Sequence, residues 1–134
     1  MLQMTTRPDI EVGAVLNAAA ERWRVWGEEC AMVDDTHLDA SSQGKSSVWH
    51  DAIAGAILLE SRSTMECALL DEPDWDAVHD LVDQAKTNGI KLVLLAHLKR
   101  LGVAHTELHG SAVTLQGWWS GLDGAICFDG PERA

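Results

Sequence analysis

Apolar positions recur along this chain with two different periods, and each change of period marks an element. The clearest case runs from Leu69 to Ala96. Trp75, Val78, Val82 and Ala85 step by three and four, with Leu81 beside them. Asp76, Asp80, Asp83, Gln84 and Lys86 fall off that stripe, so the spacing predicts an amphipathic helix over 74–88. Asp71-Glu72-Pro73-Asp74 supplies its start: carboxylates at the positive end of the helix dipole, and Pro where a missing N–H costs least. Asn88-Gly89 supplies the stop, because both tolerate the left-handed backbone that ends a helix. The run Ile90 to Ala96 is then almost wholly apolar and reads as a strand buried on both faces. A second helix through Leu101, stopped by Gly102, is the competing reading.

Similar patterns place the other elements. Val12, Leu16, Ala19, Trp23 and Trp26 give one helix stripe over Thr6–Trp26, and Thr6 and Asp9 have capping-box spacing. Cys30 to Val33 is a short strand candidate, and Met65 to Leu70 another. Asp34 to Ser47 is polar and turn-rich, hence a loop. Val48 to Leu59 is apolar with few breaks. We read it as a helix capped by Ser46 or Ser47; the alternative is two strands broken at Ala54-Gly55. From Val103 to Phe128 the period becomes two. With His109-Gly110 as a hairpin turn, Ala104, Thr106, Leu108, Val113, Leu115 and Trp119 share one face of a meander. His105, Glu107, Thr114, Gln116 and Trp118 share the other. The expected architecture is an α+β single domain. N-terminal helices and the helix over 74–88 pack on a mixed sheet that ends in a C-terminal antiparallel meander.

Charge narrows the function classes. The chain has 134 residues, enough for one real core, and a net charge of −11. That charge opposes direct nucleic-acid binding and attachment to anionic membranes, and it favours a cationic protein partner. No apolar run approaches a membrane span. Cys30, Cys67 and Cys127 are far apart and form no CxxC pair, which points to a reducing cytosol and to neither a zinc knuckle nor a disulfide framework. The sequence calls for no cofactor. Between Glu66 and Asp83 there are seven carboxylates and no Lys or Arg. We therefore expect a small acidic interaction protein that binds or inhibits a basic partner, with Asp76, Asp80 and Asp83 as the recognition face. Part of the cluster has the charge to mimic phosphates. Trp118 and Trp119 are candidate apolar anchors, since Trp is enriched at binding hot spots.

Several patterns point toward hydrolytic chemistry instead. On a strand, His105, Glu107 and His109 would line one face about 7 Å apart, a set that suits zinc or ferrous iron. Asp34, Asp35, His37 and Asp39 crowd one loop, without the spacing of an EF-hand. His97 follows a predicted strand, at the end where open α/β sheets bind ligands. The stretch His50-Asp51-Ala52-Ile53-Ala54 through Leu59-Glu60-Ser61-Arg62 resembles the PD-(D/E)xK nuclease pattern. That resemblance implies Asp51 and Glu60 as Mg²⁺ ligands on adjacent strands and Arg62 in the place of the family's Lys; His50 replaces the Pro. Arg does not readily give up its proton, which counts against a base role. The order of helix, three strands, helix and strand also follows that family. A weaker likeness is to a phosphate-binding P-loop, carried by Gly44-Lys45-Ser46, with Asp71 and Glu72 resembling the Mg²⁺-binding strand end of transporter ATPases. Asp39 stands where the P-loop opens with Gly, and only 25 residues separate Ser46 from Asp71.

Overall fold

The computed structural model describes residues 8–33 and 47–134. The acidic loop Asp34 to Asp39 and the Gly44-Lys45-Ser46 triplet lie outside the described residues, as does the Thr6 cap. In chain order the elements are α1 (Pro8–Val25), β1 (Ala31–Val33), α2 (Ser47–Ala52), β2 (Ile53–Leu59) and, after a 3₁₀ turn at Glu60–Arg62, β3 (Thr64–Leu69). Then come α3 (Trp75–Thr87), β4 (Lys91–His97), α4 (Leu98–Glu107), β5 (Thr114–Ser120) and β6 (Ile126–Arg133).

The six strands form one mixed sheet in the order β1-β2-β3-β4-β5-β6. β3, β4 and β5 are parallel, and the outer pairings are antiparallel. The two parallel crossovers advance across the sheet in the same direction. Each takes the same hand, so α3 and α4 fall on one face. There Val78, Leu81, Ala85, Ala104 and Leu108 meet Met65, Cys67, Leu92, Leu94 and Leu115. α1 covers the opposite face, where Val15, Leu16 and Ala19 meet Ile57, Ala68, Val93 and Leu95. Successive β4 residues alternate between the two cores, as a strand with period two requires. This is why Ile90 to Ala96 reads as a continuous apolar run: both faces are covered. Leu94 is fully buried.

The α+β class, the α3 helix, the strand after it and the mixed sheet hold. Two segments differ from expectation. Val48–Leu59 is neither one helix nor two strands: helix ends at Ala52, and Ile53 begins a seven-residue strand. The β-branched Ile53 and Ile57 fill opposite cores, because the register shift between Ile53 and Gly55 turns the strand over, and from Ala56 to Leu58 the strand is paired on both sides. Val103 to Leu108 is not the first strand of a meander. It lies in α4 and its C-cap, and only the β5–β6 pair is antiparallel at this end. Leu98, Leu101, Ala104 and Leu108 step by three and four, and His97 starts the helix by accepting the Lys99 backbone N–H on Nδ1 at 3.1 Å. α4 sits close to β5: a Cβ added at Gly117 would come within 2.6 Å of Leu98 Cδ2.

Candidate functional site

α3 has both ends and one face fixed by its own residues. Asp74 accepts N–H bonds from Asp76 and Ala77 at 3.0 and 3.4 Å. At the other end, Asn88 returns to Gln84 O, and Gly89 takes a φ of 70°. Burial of Ala77, Val78, Leu81 and Ala85 sets the roll of the helix. The steps of four and three then put Asp76, Asp80 and Asp83 on the outward side, with Asp76 and Asp83 exposed and Asp80 half-exposed. Among the described residues, no cation pairs with any of the three. Neighbouring like charges at these spacings repel by roughly 0.2–0.5 kcal/mol per pair.

The remaining carboxylates of the acidic segment are engaged. Arg100 bonds Asp71 at 3.2 and 3.1 Å and Glu72 at 3.4 Å. The hydrogen bonds that Arg100 donates to Asp71, with the charges of Asp71 and Glu72, raise the pKa of this guanidinium further. Asp74 is the helix cap. Glu66 is buried at the sheet centre, on the α1 side. Both its oxygens accept from Arg22 Nη2, at 3.0 and 2.8 Å, and Oε1 also accepts from Trp23 Nε1 at 2.9 Å. Arg22 Nη2 also donates to Gln116 Oε1 at 3.0 Å, and Gln116 Nε2 donates to Asp129 O at 2.7 Å. The guanidinium carbon of Arg22 lies 4.2 Å from the Phe128 ring centroid. This network ties α1 to β3, β5 and β6. Its partners lie 44 and 94 residues apart in sequence, so no local pattern announces it.

The other candidates are dispersed. Trp118 is 3% exposed and packs edge-to-face on His97 with ring centroids 4.6 Å apart, so it is a core residue and not a surface anchor. Trp119 is half-buried. His105, Glu107 and His109 share no strand face. His105 and Glu107 are two apart on a helix and point in different directions, and His109 lies in the turn beyond it. His105 Nε2 meets Glu132 Oε1 at 2.7 Å instead. Asp51 precedes β2 and Glu60 follows it. Seven strand residues hold them roughly 20 Å apart, too far to share an ion. Arg62 bonds Glu28 at 3.0 Å, and its guanidinium carbon lies 5.2 Å from the Trp23 ring centroid. The element order implied by the nuclease resemblance is interrupted by α2 between β1 and β2, and its ligand geometry is absent. Among the described residues no group of three or more His, Cys, Asp or Glu is arranged to hold a metal, and no helix is long and apolar enough to cross a membrane. No protein-family model, no curated protein and no solved structure matches the chain.

Proposed function

We propose that the protein is an acidic binding module whose outer α3 face docks on a cationic surface of a partner protein. One observation carries this reading: among the described residues no cation pairs with the carboxylate ladder of Asp76, Asp80 and Asp83, while Asp71 and Glu72 of the same segment are paired. The ladder carries repulsion that a cationic partner relieves. If that partner's surface also binds nucleic acid, docking occludes it, and inhibition follows.

The test is capture at two ionic strengths. The protein should retain a basic partner at low salt and lose much of it at high salt, because exposed charges are screened over about 8–10 Å near physiological ionic strength. Asp76→Asn, Asp80→Asn and Asp83→Asn together should cut capture at least tenfold. A control removes the same charge elsewhere: Glu29→Gln, Asp51→Asn and Glu107→Gln together should retain capture. The melting temperature should stay within a few degrees, since relieved repulsion and the lost dipole contact of Asp76 oppose each other and each is below about 1 kcal/mol. Equal capture by the α3 triple variant refutes the proposal. Equal losses in both triple variants reduce it to bulk charge.

A further inference from the structure

β1 pairs with β2 on one side and, among the described residues, with no strand on the other. The backbone N–H and C=O groups on that outer side are left to water. Sheet edges are ordinarily blunted by Pro, by Lys or by other charged side chains. Cys30, Ala31, Met32 and Val33 supply none of these. Val33 packs on the α3–α4 side of the sheet, whereas Ala31 is exposed and Met32, across from Ile57, is 61% exposed. β1 is thus a short apolar strand with an open backbone edge.

Charge decides what fits there. Three residues offer few backbone bonds, so an added segment needs a second source of attraction. Carboxylates stand at both ends of β1 in sequence: Glu28 and Glu29 before it, Asp34 and Asp35 after it. Glu28 is held by Ser61 and Arg62. Glu29 has no such partner among the described residues. The β1–β2 register pairs Ala31 with Leu58, and the next step of two along it sets Glu29 against Glu60. Both carboxylates are exposed, and with Ala31 and Leu58 they line an open cleft of about 420 Å³. Like charges set opposite each other at the end of a ladder repel, and a cation between them removes that repulsion. A second copy of the chain does not fit. In an antiparallel pair of two copies centred on Met32, the acidic end of each segment meets the acidic start of the other.

We infer that the β1 edge pairs with an extended segment of another protein, apolar in its middle and basic at its ends. The backbone of the segment bonds the outer side of β1, an apolar side chain lies beside Met32, and a Lys or Arg reaches Glu29 and Glu60. Main-chain bonds give such a pairing its hold, and the flanking charges choose the sequence. The α3 ladder offers charge without an open backbone edge, so this inference does not rest on the ladder's function.

Amide NMR titration of the whole protein tests it, with the acetylated and amidated peptide Lys-Lys-Val-Thr-Val-Thr-Lys-Lys as probe. Saturable shifts should appear at the amides of 31–33 and 57–60, with half-saturation below about 1 mM. Shifts at 75–83 report the ladder separately, and the binding at β1 should persist in the variant carrying Asp76→Asn, Asp80→Asn and Asp83→Asn. The peptide with Glu in place of its four Lys should bind at least about tenfold more weakly. The peptide N-methylated at its four central residues keeps its charge and loses its backbone donors there, and it should weaken by about as much. Met32→Lys sets a repelling charge on the edge and should weaken the basic peptide at least about tenfold, whereas Met32→Leu should retain it. Met32 is exposed, so both variants should melt within a few degrees of the parent. Equal binding of the Glu peptide or of the N-methylated peptide, unchanged binding by Met32→Lys, or no saturable shift at 31–33 overturns the inference. So does a dimer of the free protein, seen by sedimentation, that Met32→Lys dissociates, because the edge then belongs to a second copy.

Discussion

Replacing Arg22 by Met tests whether the buried network, and not surface charge, holds α1 on the sheet. Glu66 is 2% exposed, and Arg22 supplies the bonds to both its oxygens at 3.0 and 2.8 Å. Met leaves the carboxylate with the Trp23 indole as its one remaining donor among the described residues. Removing one partner of a buried pair costs about 3–5 kcal/mol. The Arg22 side chain is 18% exposed, so water reaches the gap, and the low end of that range applies. Gln116 Oε1 also loses its donor, and the contact with Phe128, worth about 0.5–1 kcal/mol, goes. Against these, the buried Arg22 Nε, which has no hydrogen-bond partner among the described residues, is no longer a cost. The net expectation is a loss of about 3 kcal/mol, or about 10 °C in Tm for a chain of this length. Urea unfolding followed by tryptophan fluorescence and circular dichroism measures it. Arg22→Met with Glu66→Met should be less destabilised than the sum of the single variants by at least about 2 kcal/mol, because the double variant strands no charge. A cost below about 1 kcal/mol for Arg22→Met, or strict additivity in the double variant, refutes the reasoning.

Three further outcomes follow from positions already described. Leu94→Asp places an unpaired carboxylate in the fully buried centre of β4 and should unfold the protein; a variant melting within a few degrees of the parent would disprove the buried-strand assignment. Glu28 accepts hydrogen bonds from Arg62 and Ser61, which lower its pKa below the ordinary 4.5. The stabilisation is therefore complete above the unfolded value and lost as pH falls through the folded one, and carboxyl NMR should show Glu28 titrating nearer its ordinary value in Arg62→Gln. Burial pushes the Cys67 thiol far above its usual range, while Cys30 and Cys127 are half-exposed. A thiol reagent at pH 8 should modify Cys30 and Cys127 in the folded protein and reach Cys67 only on unfolding; rapid reaction of all three thiols would contradict this packing.

The α3–β4 unit was legible because local and tertiary signals agree there: an Asp cap, a three-and-four stripe, an Asn-Gly stop and a run of apolar residues for a doubly covered strand. α4 was less legible. Leu98, Leu101, Ala104 and Leu108 carry helical spacing, but His105, Glu107 and His109 alternate across the same segment, and Gly102 resembles a stop. Packing against Gly117 decides in favour of the helix, and that contact is not local. Val48–Leu59 failed for a related reason, since Ala54, Gly55 and Ala56 suit either state and only the strands on both sides choose. Burial of Glu66 could not be read from an acidic run, because its neutralising partner lies a helix and two strands earlier. The alignment of Asp76, Asp80 and Asp83 was readable from helical period alone.

The last strand of the sheet has a consequence for behaviour at high concentration. β6 pairs with β5 on one side and ends the strand order. Such a border offers a row of backbone donors and acceptors to a neighbouring molecule, and growth from it leads to filaments. Here the row is interrupted. Pro131 has no N–H to offer, and Asp129, Glu132 and Arg133 bring hydrated charges to the same stretch. The residues that finish the sheet also deny a second copy any continuous register along this border, which closes it to growth by strand addition.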